Sequence, residues 1–390
     1  MSDTVRTEFF DEVPTRVVSG PGALSSSRAC LAGIGVQRAL VVCGENVSRL
    51  GQVEEYAAGC EGCIDVAVFR GVSPDPKDSE VLAGGAAGRE AGAEAVIGIG
   101  GGSSMDAAKA IAVEIGLEGW ITGQDRPGEP TVIEHEVLPI VCVPTTAGTG
   151  SEVNPFAVIT FAATQRKVVL RHETLQPRCA VLDPTLLGSA PSRVRVAAGL
   201  DALTHAIESY VNVNATADTR KRAAQAIRAI AANLRAAAAD ADDLQAQEAM
   251  QRAAMIASLA FAKTRLGIVH AMALPLSALF GVPHGVANAI LLPHGMRFNA
   301  PAASDELAEI AELMGEDVSG LAPEPAALRA AAAVEALARD VGAPARMSEV
   351  GVQESAIERM ADDAMPSAHI KVNPREITRD DIVRVYHEAM

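Results

Sequence analysis

The spacing of apolar and polar residues differs between the two halves of this chain. In the first half, short apolar runs end at glycine or at a polar residue, which predicts buried β-strands at 39–43, 64–69, 95–99, 138–143 and 179–182. Ala-rich segments between them, such as 79–91 and 104–115, predict helices. Because predicted strands alternate with predicted helices, we expect an α/β domain with a doubly wound, Rossmann-like parallel sheet.

After residue 184 the apolar residues recur with the period of a helix, and clusters of β-branched residues are few. Helices are predicted at 219–239, 245–262, 304–314 and 325–341. Near the end of the chain, Thr378 and Asp381 have the spacing of an N-cap and the third position of a last helix. The sequence therefore predicts an α/β domain at 1–186 and an all-α domain at 187–390.

Charge and composition narrow the possible partners. The net charge of −16, from 33 basic and 49 acidic residues, repels phosphate backbones, so we expect no nucleic-acid partner. The chain has no run of about 18 apolar residues and no apolar signal core at its start, so we expect no membrane contact and a cytoplasmic location. The cysteines are expected to be free thiols, and the CxxC pair of Cys60 and Cys63 lacks the second pair of a zinc site.

Two pairs of residues suggest a metal site. Asp201 and His205 are four apart in a predicted helix and so share one face, and His270 and His284 follow in an apolar stretch. A helical Asp/His pair alone is usually a capping or surface pair, but histidines in an apolar stretch need a partner. Three imidazoles and one carboxylate suit Fe²⁺ or Zn²⁺, which could polarise a substrate oxygen as a Lewis acid.

Two loops suggest a nucleotide site. A predicted strand ends at Gly100, Gly101, Gly102 and Ser103 before a helix that carries Asp106, and such a turn can bring backbone N–H groups close to a pyrophosphate. The loop after the next strand carries polar groups that could bind a ribose, a phosphate or a nicotinamide, namely Thr145, Thr146, Thr149, Ser151 and Asn154. Neither loop is a GxGxxG or P-loop motif, and ordinary turn chemistry is the alternative for both.

Taken in order, these motifs resemble the iron-containing (group III) alcohol dehydrogenases over nearly the whole chain, through 14–23, 100–106, 144–152, 199–205, 270–285 and 373–375. The resemblance implies a dehydroquinate synthase-like architecture, with the metal held by the four residues named above in a cleft between a dinucleotide domain and a helical domain. It also implies NAD(H) or NADP(H), hydride transfer between nicotinamide and a small aldehyde or alcohol, and a homodimer or larger assembly.

Two alternatives within this architecture stay open. A dehydroquinate-synthase-like cyclase or lyase would use NAD as a catalytic intermediate, but it needs more basic residues than this chain offers for a phosphorylated substrate. A maleylacetate-reductase-like enzyme usually lacks the carboxylate that Asp201 provides.

Two departures from the family pattern concern the choice of nucleotide and the residue at the position of the second family histidine. Family members often carry a histidine four residues after the third ligand, where this chain has Leu274. NAD-specific members tend to place Asp where Gly44 stands, and its loss removes a repulsion against a 2′-phosphate. Glu45 could still bind the ribose, so both NADH and NADPH are candidates.

Two cations suggest an anionic substrate. Lys263 and Arg265 lie shortly before His270, and by analogy with the family Phe261 and Phe156 are expected to contribute to the substrate pocket. If both cations face the pocket, the substrate is a small anionic aldehyde such as phosphonoacetaldehyde or succinic semialdehyde. If both face solvent, a short neutral alcohol or diol is expected.

Overall fold

The computed structural model describes residues 5–10, 13–25, 31, 35–60, 64–126 and 129–390. Cys30 and Cys63 lie outside these residues, so the CxxC pair is not described. The cysteines that are described, Cys43, Cys60, Cys142 and Cys179, are buried free thiols, as expected.

The first half of the chain forms a seven-stranded sheet in the order β1-β2-β9-β6-β5-β3-β4. The strands are β1 (Arg6–Phe10), β2 (Val13–Ser19), β3 (Arg38–Gly44), β4 (Asp65–Val72), β5 (Ala95–Gly100), β6 (Ile140–Pro144) and β9 (Cys179–Leu182). All neighbours pair in parallel except β1 with β2. The five predicted strands thus form one parallel sheet, and the predicted α/β class is confirmed.

Two further features of this half were not predicted. Strand β1 adds an antiparallel edge, and β7 (Phe156–Phe161) pairs with β8 (Arg166–Arg171) in a separate antiparallel hairpin. The helices are α1 (Glu45–Ser48), α2 (Gln52–Cys60), α3 (Asp78–Glu90) and α4 (Gly102–Gly116). Helix α4 packs closely on β5 because Gly98 has no side chain, and a Cβ there would lie 2.9 Å from that of Ala108.

The second half is helical, as predicted. Its helices are α5 (Ser192–Val211), α6 (Ala217–Ala239), α7 (Leu244–Thr264), α8 (Ile268–Phe280), α9 (His284–Asn299), α10 (Ser304–Leu313), α11 (Pro323–Asp340), α12 (Ile357–Ala364) and α13 (Arg379–Glu388). The predicted capping box is confirmed, since Thr378 Oγ1 accepts from Asp381 N and the Asp381 carboxylate accepts from Thr378 N. No helix in the described part of the chain is long and apolar enough to span a membrane.

The chain divides into two compact units, 1–146 with 150–190, and 147–149 with 191–390. This division lies four residues after the predicted boundary at 186. The 3₁₀-helix Pro184–Ser189 belongs with the first unit, where Gln52 donates a hydrogen bond to the Ser189 hydroxyl over 3.0 Å.

Candidate active site

The second unit brings together the four residues predicted to bind a metal. Helix α5 carries Asp201 and His205 one turn apart, His270 lies in the first turn of α8, and His284 begins α9. Helix α9 can start this close to α5 because Gly285 has no side chain, since a Cβ there would lie 2.3 Å from the carbonyl oxygen of Ala197. A tight backbone approach therefore places His284 beside the carboxylate.

The geometry of these residues fits a metal ion. The Nε2 atoms of His205, His270 and His284 lie 3.8, 3.7 and 3.9 Å from the same oxygen, Asp201 Oδ1. The ligand atoms of Asp201, His270 and His284 lie within 4.8 Å of one another, and the ring of His205 stacks on that of His270 at 4.8 Å between centroids. Three ring nitrogens that converge on one carboxylate oxygen form a donor set for a transition metal.

A buried carboxylate behind the site fixes the ring of His270. Glu208 Oε2 lies 2.6 Å from His270 Nδ1, and Glu208 Oε1 accepts a hydrogen bond from Val269 N over 2.7 Å. When Nδ1 carries the hydrogen, Nε2 presents its lone pair towards Asp201, and a cation between them removes the repulsion. The sequence did not point to Glu208, although it stands seven residues after Asp201 on the same helix face.

An amide completes the cluster. Asn288 Nδ2 lies 2.7 Å from Asp201 Oδ1, 3.1 Å from His270 Nε2 and 3.2 Å from His284 Nε2. Its two hydrogens cannot serve three acceptors, and its own Oδ1 is buried without a hydrogen-bond partner among the described residues. When His270 is neutral, with its hydrogen on Nδ1, the cluster therefore holds more acceptors than donors, which favours a bound cation. Asn288 lies one turn after His284, and this spacing is the signal that could have found it.

The protonation of the site couples to metal binding. Burial lowers the pKa of His205 to about 4, against the attraction of Asp201. For His270, burial also acts downward, but the hydrogen bonds with Asp201 and Glu208 outweigh it and raise the pKa to about 9. Burial alone would raise the pKa of Asp201, yet the neighbouring imidazoles lower it below its usual range. A metal that binds here must displace the His270 proton.

The aromatic rings of Phe261 and His369 lie next to the predicted metal ligands. Phe261, expected in the pocket, stacks on His205 with 4.5 Å between centroids. His369, which the sequence did not single out, has its ring 6.3 Å from that of His270. Its Nδ1 accepts a hydrogen bond from Leu266 N, and burial, together with the charge of His270, lowers its pKa to about 4. His369 is therefore neutral at physiological pH.

The two cations of the predicted anionic pocket have different surroundings. Lys263 is exposed, and its Nζ lies 3.6 Å from Asp218 Oδ2. Arg265 is exposed at the end of α7, where its backbone φ is 67°, and its charge contributes to lowering the pKa of His369. Leu274 is half-buried one turn after His270. The charge of Arg265 thus acts on His369, a ring next to the predicted metal ligands.

The first unit brings the predicted nucleotide loops together at the carboxyl ends of β5 and β6. Gly101 caps α4, and a Cβ on Gly101 would lie 3.3 Å from Thr146 Oγ1. Thr145 N donates a hydrogen bond to Gly100 O over 2.9 Å, and the φ of Gly100 is 147°, which favours glycine. Gly102 and Ser103 therefore begin α4 beside the threonine loop, while Thr149 is counted with the second unit.

Three predicted cofactor residues lie around a buried lysine side chain and not at an exposed surface. Lys109 is fully buried and donates to Ser151 Oγ at 2.7 Å, to Asn154 O at 2.9 Å and to Phe156 O at 2.7 Å. Asp106 accepts from Ser151 Oγ at 2.6 Å. Burial lowers the pKa of Lys109, opposed by the charge of Asp106. These hydrogen bonds hold the loop at 150–156 against α4. Contact of Asp106, Ser151 and Asn154 with a nucleotide stays a prediction.

The end of β3 bears on the choice of nucleotide. A Cβ on Gly44 would lie 2.9 Å from Val72 O, so a larger residue requires the backbone to shift. Glu45 is exposed and forms an ion pair of 2.5 Å with Arg49. A carboxylate and a guanidinium thus lie one turn apart next to a glycine where a sheet of this kind binds ribose.

Comparisons with known proteins agree with this architecture. The model of iron-containing alcohol dehydrogenases matches residues 14–184, and the model of the C-terminal domain of the Fe-containing alcohol dehydrogenase family matches 195–390. The NAD-dependent methanol dehydrogenase of Bacillus methanolicus is 38% identical over 385 residues, which cover 98% of this chain and 100% of that protein. The lactaldehyde reductase of Escherichia coli (strain K12) is 38% identical over 361 residues, or 91% of this chain and 92% of that protein.

A solved structure agrees as well. The crystal structure of 1,3-propanediol oxidoreductase superposes with a TM-score of 0.91 at 38% identity, over 95% of this chain and 97% of that one. The matches place the protein among the alcohol dehydrogenases, which are oxidoreductases acting on CH–OH groups. Within that class, the chain belongs to the iron-containing alcohol dehydrogenase family. The resemblance drawn from the motifs is thereby confirmed.

Proposed function

We propose that this protein is a metal-dependent, NAD(P)-linked alcohol dehydrogenase that acts mainly as an aldehyde reductase. The observation that carries the proposal is the convergence of three histidine Nε2 atoms on Asp201 Oδ1, within 3.9 Å. Fe²⁺ and Zn²⁺ both accept such a donor set. The similarity to an NAD-dependent methanol dehydrogenase and to a lactaldehyde reductase supports this assignment.

The chain's own residues would hold and orient the reactants. When bound, the metal would supply Lewis acidity at the substrate oxygen, worth several kcal/mol, and the nicotinamide would supply the hydride. Glu208 keeps the hydrogen of His270 on Nδ1 and so directs Nε2 towards the metal position. Phe261 covers the ring of His205 and keeps water from that side of the site. The N-terminus of α4 at Gly101 would bind the pyrophosphate.

The nucleotide is proposed to be NADH or NADPH. Gly44 offers no carboxylate that would repel a 2′-phosphate, while the exposed Glu45 can still accept from a 2′-hydroxyl. The oligomeric state, expected to be a homodimer or larger, stays a prediction.

The first test removes the metal. Protein treated with a chelator and supplied with NADH or NADPH is expected to lose aldehyde reduction by at least about 10²-fold, because a Lewis acid worth several kcal/mol is gone. Added Fe²⁺ or Zn²⁺ should restore it. The assay follows absorbance at 340 nm with phosphonoacetaldehyde, succinic semialdehyde, glycolaldehyde, lactaldehyde and butyraldehyde.

The same assay separates the alternatives. A cyclase that regenerates NAD within each cycle gives no net change at 340 nm, whereas a dehydrogenase oxidises one nucleotide for each aldehyde. Full rates in the chelated protein would contradict the metal-dependent mechanism.

The anionic-substrate proposal now rests on Arg265. Arg265→Ala is expected to raise the KM for succinic semialdehyde about tenfold relative to that for butyraldehyde, because a hydrogen bond to a charged group is worth about 1.5–3 kcal/mol. Lys263→Ala is the matched control, since Lys263 is paired with Asp218 on the surface. If the two variants behave alike, or if both aldehydes respond equally to Arg265→Ala, the substrate is a neutral alcohol or aldehyde.

A further inference from the structure

One imidazole next to the metal ligands takes no part in the proposed metal site. His369 precedes the 3₁₀-helix Ile370–Val372, and its ring lies 6.3 Å from that of His270 at an angle of 57°. The segment is held in place by Asn373, which accepts a hydrogen bond from Ile268 N over 3.2 Å and exchanges side-chain hydrogen bonds with Asn299. His369 is thus fixed against the start of α8, the helix that carries His270.

The hydrogen bonds of His369 determine which nitrogen can reach a ligand. Nδ1 accepts from Leu266 N over 3.3 Å, so the neutral ring carries its hydrogen on Nε2. Among the described residues, the bond with Leu266 N is the one hydrogen bond of this ring, and the side chain of His369 is partly exposed. The ring therefore presents a fixed N–H donor that lacks a protein acceptor.

Exposure shows which side of the site a substrate can reach. The side chains of Asp201, His205 and His270 are at most 6% exposed, whereas that of His284 is 32% exposed. His369 is also partly exposed, and so is Leu274, which has no polar group. His369 is therefore a partly exposed ring that lies 6.3 Å from the ring of His270, and it can meet a substrate whose oxygen lies near Asp201.

We propose that His369 Nε2–H donates a hydrogen bond to an oxygen on the carbon next to the reacting carbonyl. His369 is then a specificity-determining residue that favours 2-oxygenated aldehydes, such as 2-hydroxyaldehydes, over alkyl aldehydes of the same size. The inference rests on the proposed function, because it takes the site of Asp201 and the three histidines as the place where the substrate oxygen binds. A polar site group left without its partner makes the alkyl analogue the poorer substrate.

The test compares glycolaldehyde with propanal, which has the same number of heavy atoms. In His369→Phe, the ratio of kcat/KM for glycolaldehyde to that for propanal is expected to fall about tenfold, the worth of one neutral hydrogen bond, mainly through the KM of glycolaldehyde. His369→Gln, which retains an N–H donor, should restore part of the ratio. His387→Phe, a histidine on the exposed face of α13, is the matched control.

A binding measurement keeps the two proposals apart. The Kd values of ethylene glycol and of 1-propanol are measured on Co²⁺-loaded protein from its visible absorption, and His369→Phe should weaken ethylene glycol selectively by a similar factor. If the native protein turns over neither aldehyde, the proposed function fails while this titration still tests His369. Equal effects on both ligands, or no effect on the glycol, would overturn the proposal.

Discussion

Replacing Asp201 with alanine is expected to lower kcat/KM for aldehyde reduction by at least about 10³-fold, because it removes the only anionic donor of a Lewis-acid site worth several kcal/mol. The carboxylate oxygen is also the point on which the three Nε2 atoms converge, at 3.7 to 3.9 Å. Metal affinity should fall with activity. Binding of NADH, measured by quenching of its fluorescence, should stay within about threefold, since all of the predicted nucleotide residues except Thr149 belong to the first unit.

Two further variants complete this test. Asp201→Asn keeps the shape of the side chain and should lose activity to a similar degree, which separates loss of the ligand from loss of packing. Asp340→Ala removes an exposed carboxylate paired with Arg235 and should behave like the native protein. If both Asp201 variants retain the native rate in chelated buffer, the Lewis-acid mechanism is wrong.

The sequence could predict this site because its ligands lie at spacings with a direct geometric meaning. A spacing of four residues places Asp201 and His205 on one face of a helix. The fold class follows from the alternation of apolar runs with Ala-rich segments. Glu208 and Asn288 lie at the same kind of spacing from a ligand. This spacing is a signal, but the many glutamates and asparagines at helix surfaces share it, and so the partners of the predicted ligands were missed.

Other features depend on contacts between distant parts of the chain. His369 lies 99 positions after His270, and only the docking of its segment by Asn373 brings the two rings within 6.3 Å. Strand β1 and the hairpin of β7 and β8 are antiparallel additions to a parallel pattern, and the alternation of strands with helices along the chain does not predict them. The predicted cofactor role of Asp106 came from its place in the motif at 100–106, directly after the Gly-rich turn. Its environment depends on Lys109.

Lys109→Met is expected to lower the free energy of unfolding of the first unit by about 3–5 kcal/mol, because it removes a buried ammonium group that donates three hydrogen bonds and offsets the charge of Asp106, while keeping the length of the side chain. The change leaves the partly buried Asp106 without a neighbouring positive charge, and it removes the donor that Ser151 Oγ and the carbonyl oxygens of Asn154 and Phe156 now share. The chain has one tryptophan, Trp120, which lies in the hydrophobic core cluster formed around α4. Its fluorescence in a urea titration therefore reports on the unit that contains the change.

The matched control is Lys221→Met, which makes the same substitution on the exposed surface of α6 and should change the free energy of unfolding by less than about 0.5 kcal/mol. Adding Asp106→Asn to Lys109→Met should restore part of the lost stability, because the uncompensated carboxylate is then neutral. A Lys109→Met protein as stable as the control would show that the loop at 150–156 is held by backbone contacts alone. In that case the predicted contact of Asp106, Ser151 and Asn154 with the nucleotide would stand, whereas a loss of about 3–5 kcal/mol would assign these residues to the support of the loop.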